Sequence, residues 1–106
     1  MTTIDLIIRA IESKKPIRFE YHGTKDLPGE RVGNPYAVFF HPDTDNACAH
    51  IFQTDGVSHS GKLPGWRTNK IENIINVSVL EDAECFKVEE GYNPNSISYT
   101  RVIKKI

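Results

Sequence analysis

The hydrophobic periodicity of this chain changes at Pro16, from a helical repeat to an alternating one. Before Pro16, isoleucines recur at i, i+3, i+4 and i+7, which is one stripe of an amphipathic helix. These residues are Ile4, Ile7, Ile8 and Ile11. Thr2 or Thr3 is expected to cap the helix and Pro16 to end it. A single helix of this size can cover a sheet, whereas a helix-turn-helix reader of DNA needs at least two helices.

After Pro16, apolar residues alternate with polar ones, which predicts short, half-buried strands. The predicted strands span residues 17–22, 31–41, 47–53, 66–71 and 75–80, and an extended tail spans 96–106. Alternation in the last two segments predicts that Ile75, Val77 and Val79 share one face, and that Ile97, Tyr99 and Ile103 share one face. The fold class is therefore mainly β (α+β). We expect a small barrel of about five strands, with the helix over one open end and a C-terminal strand extension.

Length and composition indicate one soluble domain. The 106 residues are enough for a modest core, so we treat 1–106 as a single domain, with a core of about 3–86 and a C-terminal extension of about 91–106. No apolar run approaches the roughly 20 residues that cross a bilayer, and the N-terminus does not resemble a signal peptide. We therefore expect a cytoplasmic protein with no membrane partner. Cys48 and Cys85 lack the spacing of a zinc site, and no metal or cofactor is predicted.

The segment 53–67, QTDGVSHSGKLPGWR, predicts a long loop between strands. Glycine and serine at this density favour irregular backbone, and a loop of this length is either functional or disordered. Trp66 argues against a freely exposed loop, because a large aromatic side chain is costly to leave in water.

No set of catalytic residues is apparent, so an enzyme is not expected. The sequence has no Gly-x-Ser-x-Gly elbow and no phosphate-binding glycine loop. Ser58 and His59 are adjacent in sequence, so on an extended chain their side chains would point apart. The other histidines are best interpreted as polar strand or loop residues.

The sequence contains residues suited to ligand binding rather than to catalysis. Arg31 and Arg67 each lie near the start of a predicted strand, and two guanidinium groups at one end of a barrel can clamp a phosphate or carboxylate. Taken from the residues alone, structural ion pairs with Glu30 or Glu72 are the favoured alternative for these arginines.

Neutral donors and stacking surfaces would complete such a site. The donors are the hydroxyls of Ser58 and Ser60 and the amides of Gly56 and Gly61, and the stacking surfaces are Tyr36 and Trp66.

Four segments, in this order and spacing, resemble a WYL domain. They read AIESKKPIRFEYHG, RVGNPYAV, HIFQTDGVSHSGKLPGWR and KIENIINVSVL, and they cover roughly residues 6–86. The resemblance is to a short branch whose central loop reads Gln, Gly, Ser, Ser-Gly, Pro, Trp-Arg. It implies an SH3/Sm-like β-barrel with an N-terminal helix. It also implies the ligand-sensing part of a bacterial transcription regulator, in a family associated with phage defence and DNA-damage responses, that binds nucleotides or nucleic-acid fragments.

Some positions of the family motif have the same residue types in this chain, and others do not. Its basic position and the following Pro-Tyr pair fall on Arg31, Pro35 and Tyr36, and its Trp-Tyr-Leu run falls on Ala49, His50 and Ile51. The late aromatic and arginine of its final motif fall on Asn69 and Asn73. The resemblance leaves Arg31, His50, Gln53 and Arg67 as an expected polar cluster.

Two functional hypotheses follow. The first is a non-enzymatic sensing or regulatory module that binds a nucleotide or single-stranded nucleic acid. Its expected ligand-binding residues are Arg31, Tyr36, His50, Gln53, Ser58, Ser60, Trp66 and Arg67. Because no winged-helix DNA reader precedes the domain, a separate DNA-binding regulator is an expected partner. The alternative is a protein-assembly module that uses the C-terminal strand, for instance as a homodimer, and has no nucleic-acid ligand.

Overall fold

A computed structural model describes residues 1–23, 28–58 and 62–106, and within them the chain forms one α-helix and six strands. These elements are α1 (Thr3–Ser13), β1 (Ile17–Tyr21), β2 (Glu30–Phe40), β3 (Ala47–Gly56), β4 (Gly65–Lys70), β5 (Ile74–Val79) and β6 (Thr100–Lys105). A 3-10 turn at Ile71–Asn73 joins β4 to β5. No helix in the described part of the chain is long and apolar enough to cross a membrane.

The predicted helix and its cap are confirmed. The Thr2 hydroxyl accepts a hydrogen bond from the Asp5 amide at 3.1 Å, and the Asp5 carboxylate accepts one from the Thr2 amide at 3.2 Å. This reciprocal pair is a capping box, and its hydrogen bonds lower the pKa of Asp5. The helix ends at Lys14, which adopts the left-handed conformation two residues before Pro16.

All strand pairs are antiparallel, and β2 is the centre of the sheet. The order is β4-β3-β2-β1-β5, and β6 pairs with β2 as well. The long β2 serves two partners along one edge, because β1 pairs with its first half (Ile17 with Gly33) and β6 with its second half (Ala37 with Lys105). The register of β2 and β3 shifts between Pro35 and Ala37, at a bulge that tolerates the missing amide hydrogen of proline.

The mainly β class is confirmed, whereas the closed barrel is not. Among the described residues, β4 and β5 lie at the two ends of the sheet and do not pair with each other. The C-terminal strand pairs with β2 of its own chain.

The sheet buries both of its faces. On the helix face, α1 packs against a core that includes Ile17, Phe19, Val38, Ala49 and Ile51. On the outer face, Ala37, Phe39 and Cys48 are covered by Tyr99 and Val102 of the C-terminal extension. Residues of one strand that differ by one position therefore enter different cores.

The predicted common face of β5 is wrong at Ile75. Ile75 is 37% exposed, and Ile74 occupies the core in its place. The register of β1 and β5 shifts between Arg18 and Glu20, and Asn76 has a φ of 54°. A bulge of one residue turns the following side chains to the other face, which alternation alone does not predict.

The predicted face of the tail is also wrong at two positions. Ile97 and Ile103 are exposed, whereas Val102 and Ile106 pack against the cores. The register of β2 and β6 shifts twice, and Arg101 has a φ of 46°, so the tail is not a regular alternating strand.

Candidate functional site

The two faces of the sheet divide the predicted site residues into two groups. Ile51 of β3 lies opposite Arg67 of β4, and Phe52 lies opposite Trp66. Side chains at directly opposite positions share a face, so Arg67 and Gln53 lie on the helix face with Ile51. His50 and Trp66 lie on the outer face with Phe52. The expected cluster of Arg31, His50, Gln53 and Arg67 is therefore split, with His50 apart from the other three.

We call Arg31, Gln53 and Arg67 the polar end of the helix face. Arg31 lies opposite Phe19 on β1 and opposite Gly56 on β3. Its side chain is 4% exposed, and the guanidinium carbon is 5.4 Å from the centre of the Tyr21 ring. A guanidinium packed on an aromatic ring gains a cation–π interaction that offsets part of the cost of burying the charge.

Gln53 is fully buried and holds the start of the loop. Its Nε2 atom donates to the carbonyl oxygens of Val57 at 2.8 Å and Asp55 at 3.2 Å. Its Oε1 atom is buried and accepts no hydrogen bond from the described residues. A buried acceptor without a partner costs about 1–3 kcal/mol, so this oxygen is a favourable position for a donor from a ligand.

Arg67 joins the two described sides of the loop to β4. It donates from Nη2 to the Lys62 carbonyl at 2.7 Å and the Ser58 hydroxyl at 3.2 Å, and from Nη1 to the Trp66 carbonyl at 2.9 Å. A Cβ atom on Gly65 would lie 2.8 Å from Nη1, which places the guanidinium over this glycine. Gly65 is the partner of Gln53 on β3, so the guanidinium lies over the residue that pairs with Gln53.

The remaining loop donors are only partly described. Ser58 contacts Arg67, whereas Ser60 and Gly61 lie outside the described residues. The alternative interpretation was that Arg31 and Arg67 form ion pairs with Glu30 or Glu72. In the structure, the Glu30 carboxylate lies 3.7 Å from the guanidinium of a different arginine, Arg18.

On the outer face, Trp66 is the centre of an aromatic cluster. We use this name for Tyr36, His50, Phe52, Trp66, Tyr92 and Tyr99. Ring centres of Tyr36, His50 and Phe52 lie 4.7, 4.8 and 5.0 Å from that of Trp66. Tyr92 is stacked on Trp66 at 6.3 Å, with 27° between the ring planes. The burial expected for Trp66 is thus partly realised, by rings from two strands (β2 and β3) and the C-terminal extension.

Tyr92 and Tyr99 also belong to this cluster, although they are not among the site residues expected from the sequence. Tyr99 hydrogen-bonds Nδ1 of His50 through its hydroxyl. Burial raises the pKa of Tyr99 to about 12, and the nearby Tyr92 adds to this shift. Composition is the signal that could have indicated them, because the mostly polar stretch from residue 87 to 99 contains two tyrosines.

Burial lowers the pKa of His50 below its ordinary value of 6.5, which predicts acid sensitivity. The unfolded chain binds the proton more readily than the folded one. Stability is therefore unaffected by this group above pH 6.5, and falls as the pH drops from 6.5 toward the lower folded value. Urea unfolding at pH 7.5 and 5.5 should show this loss in the natural protein and a smaller loss in His50→Gln. Equal losses in both proteins would contradict the prediction.

A separate cavity and the question of a metal site concern other parts of the described surface. A cavity of about 240 Å³ lies at the opposite end of β3 from Gln53, lined by Asn46, Ala47, Ile71 and Glu72. In residues 1–23, 28–58 and 62–106, no group of three or more His, Cys, Asp or Glu side chains is placed to hold a metal ion.

Comparison with solved structures finds a similar fold in proteasome accessory factor B/C (PafBC) of Arthrobacter aurescens. The TM-score is 0.65 at 18% sequence identity, and the match covers 88% of this chain and 13% of PafBC. PafBC is a regulator that contains WYL domains, so the likeness supports a WYL-like fold. No family model matches the chain, and no curated protein matches it significantly.

Proposed function

We propose that this chain is a non-enzymatic regulatory module that binds a nucleotide or single-stranded nucleic acid at the polar end of the helix face. The observation that carries the proposal is the buried Gln53, with an unsatisfied Oε1 atom, on the same face of the sheet as Arg31 and Arg67. Two guanidinium groups suit phosphate oxygens, and an amide oxygen suits an N–H donor of a base. A nucleotide carries both kinds of group.

The outer face adds a stacking surface on the same strand. Trp66 and Arg67 are adjacent in β4 and point to opposite faces. Because β4 is an end strand of the sheet, a ligand that passes around its edge would meet the arginine on one face and the indole on the other. Stacking on an aromatic ring is tolerant of base identity, as expected for a sensor of nucleic-acid fragments.

The regulatory part of the proposal is supported by the WYL-like fold and by the family resemblance. A module of this kind would act in the cytoplasm and report ligand binding to a separate DNA-binding regulator. Catalysis is not part of the proposed role, because the groups of the polar end are donors and acceptors suited to binding.

Fluorescence anisotropy with labelled single-stranded DNA and RNA of about 12 nucleotides, at several salt concentrations, tests this proposal. Each phosphate contact contributes about −0.7 to the slope of log K against log salt. Arg31→Ala and Arg67→Ala are each expected to weaken binding about tenfold and to make the slope about 0.7 less negative.

Arg18→Ala is the matched control, because it removes the same charge from a side chain that is 48% exposed on the neighbouring strand β1. It should leave the affinity nearly unchanged. A variant that only loosened the fold would lower the affinity without changing the salt slope, and thermal unfolding of each variant would detect it. Unchanged affinity and slope in both arginine variants would refute the assignment of the polar end.

A further inference from the structure

The C-terminal extension crosses the outer face as a strap that is anchored at both ends. Before the strap, the Phe86 amide donates to the Lys14 carbonyl at 2.9 Å at the end of α1. After it, β6 pairs with β2. The residues between these anchors, 87–99, contain no helix or strand, and we call them the strap.

Tyr36 and Tyr92 make much of the contact between the strap and the sheet. The Tyr36 hydroxyl accepts from the Glu89 amide at 2.9 Å and lies 3.4 Å from the Lys87 carbonyl oxygen. The Tyr92 ring lies 4.8 Å from that of Tyr36 and is stacked on Trp66, and its hydroxyl donates to the Ile106 carbonyl at 3.0 Å.

We propose that the strap is displaceable and that Tyr92 holds, in the resting protein, the position on Trp66 that a ring of the ligand takes on binding. This inference rests on the proposed function and names a stacking subsite for it, with a planar nucleobase as the group that is bound. A tyrosine and a base present the same kind of flat π surface to an indole, so the two compete for one place.

The strap has the features of a segment that opens locally. Residues 87–91 are all exposed, and Ile97, at the far side of Tyr92, is 92% exposed. An exposed, irregular backbone marks the low-stability part of a domain. Because α1 and β6 hold the two ends, the middle can lift without loss of the sheet.

The expected consequence is a lowered apparent affinity in the natural protein. When only a fraction of molecules has the strap open, the apparent dissociation constant rises by the inverse of that fraction. Removing the Tyr92 ring should therefore tighten binding, because it releases the strap and leaves Trp66 in place.

Oligonucleotide binding to Tyr92→Ala, measured by anisotropy with the same labelled single-stranded DNA and RNA, tests the inference. We expect Tyr92→Ala to bind at least about fivefold more tightly than the natural protein. Ile97→Ala is the matched control, because it removes an exposed apolar side chain from the same strap. It should bind like the natural protein. The double variant Tyr92→Ala with Trp66→Leu should lose the gain, because the ring surface is then absent.

Trp66 is the only tryptophan in the sequence, so tryptophan fluorescence reports directly on the solvent exposure of its indole ring. Quenching by acrylamide should increase in Tyr92→Ala, and added oligonucleotide should reverse this increase by covering the indole. Near-native thermal unfolding of Tyr92→Ala would show that the sheet is intact. If that variant is unfolded, Tyr92→Leu, which keeps apolar bulk without a stacking ring, takes its place with the same expected results.

The outcomes separate this inference from the proposed function. Suppose that Tyr92→Ala binds the oligonucleotide as tightly as the natural protein or more weakly, while Arg67→Ala still lowers the affinity. This result would refute the role proposed for the strap and would leave the proposed function supported. Binding by Tyr92→Ala alone, with none by the natural protein, supports the strap. No binding by either protein at low salt overturns both.

Discussion

Replacing Tyr36 by alanine is expected to lower the free energy of unfolding by about 3–5 kcal/mol, the usual cost of deleting a large buried aromatic ring. Tyr36 is fully buried, and its ring contacts those of Trp66, Phe86 and Tyr92. Its removal leaves a cavity between the sheet and the strap, lined by these rings. Urea unfolding followed by circular dichroism measures the loss.

Tyr36→Phe separates the ring from the hydroxyl. The phenylalanine keeps the packing and loses the hydrogen bond with the Glu89 amide. The expected loss is about 0.5–1.5 kcal/mol, the net value of one hydrogen bond. A loss in Tyr36→Ala no larger than that in Tyr36→Phe would mean that the aromatic cluster contributes little to stability.

Replacing Gly56 by alanine is expected to lower the free energy of unfolding by at least about 2 kcal/mol, for two reasons that add. Its φ of 94° is unfavourable for any residue with a side chain, and its Cβ atom would lie 2.2 Å from the Glu30 carbonyl oxygen. That oxygen is a backbone atom and accepts from the Val57 amide, so it cannot move freely. Gly56 is also paired with Arg31, and we expect ligand binding to weaken in parallel.

Gly91→Ala is the matched control for this prediction. No atom lies within 4 Å of a Cβ built at Gly91, and the position is exposed on the strap. Its stability should change by less than about 0.5 kcal/mol, as for most surface substitutions. Similar losses in the two glycine variants, measured by urea unfolding, would contradict the steric account of Gly56.

The local elements could be predicted because their causes are local. Ile7 and Ile11 mark the buried stripe of α1, and Thr2 and Asp5 form its cap within four residues of chain. The strands β2 and β3 follow in the same way from the alternating segments 31–41 and 47–53, which the structure pairs with each other. Each of these signals acts between near neighbours, so it is present in the sequence before any tertiary contact forms.

The division of the site between two faces can also be predicted from the spacing of its residues in the sequence. His50 and Gln53 are three residues apart in one strand, and Trp66 and Arg67 are adjacent in another. An odd separation in a regular strand puts two side chains on opposite faces. Alternation alone therefore places His50 and Gln53 on opposite faces, and the expected polar cluster was wrong to combine them.

The helix, the short strands and the residue types of the site follow from the sequence alone, because hydrophobic period, capping and turn chemistry act locally. Tertiary structure decided the bulges at Asn76 and Arg101, which reversed the expected faces of Ile75 and Ile103. It also decided the cover on Trp66, since the Tyr36 hydroxyl and the Glu89 amide are 53 residues apart. An irregular segment has no periodicity of its own to read, and its path is set by the distant surface that it buries.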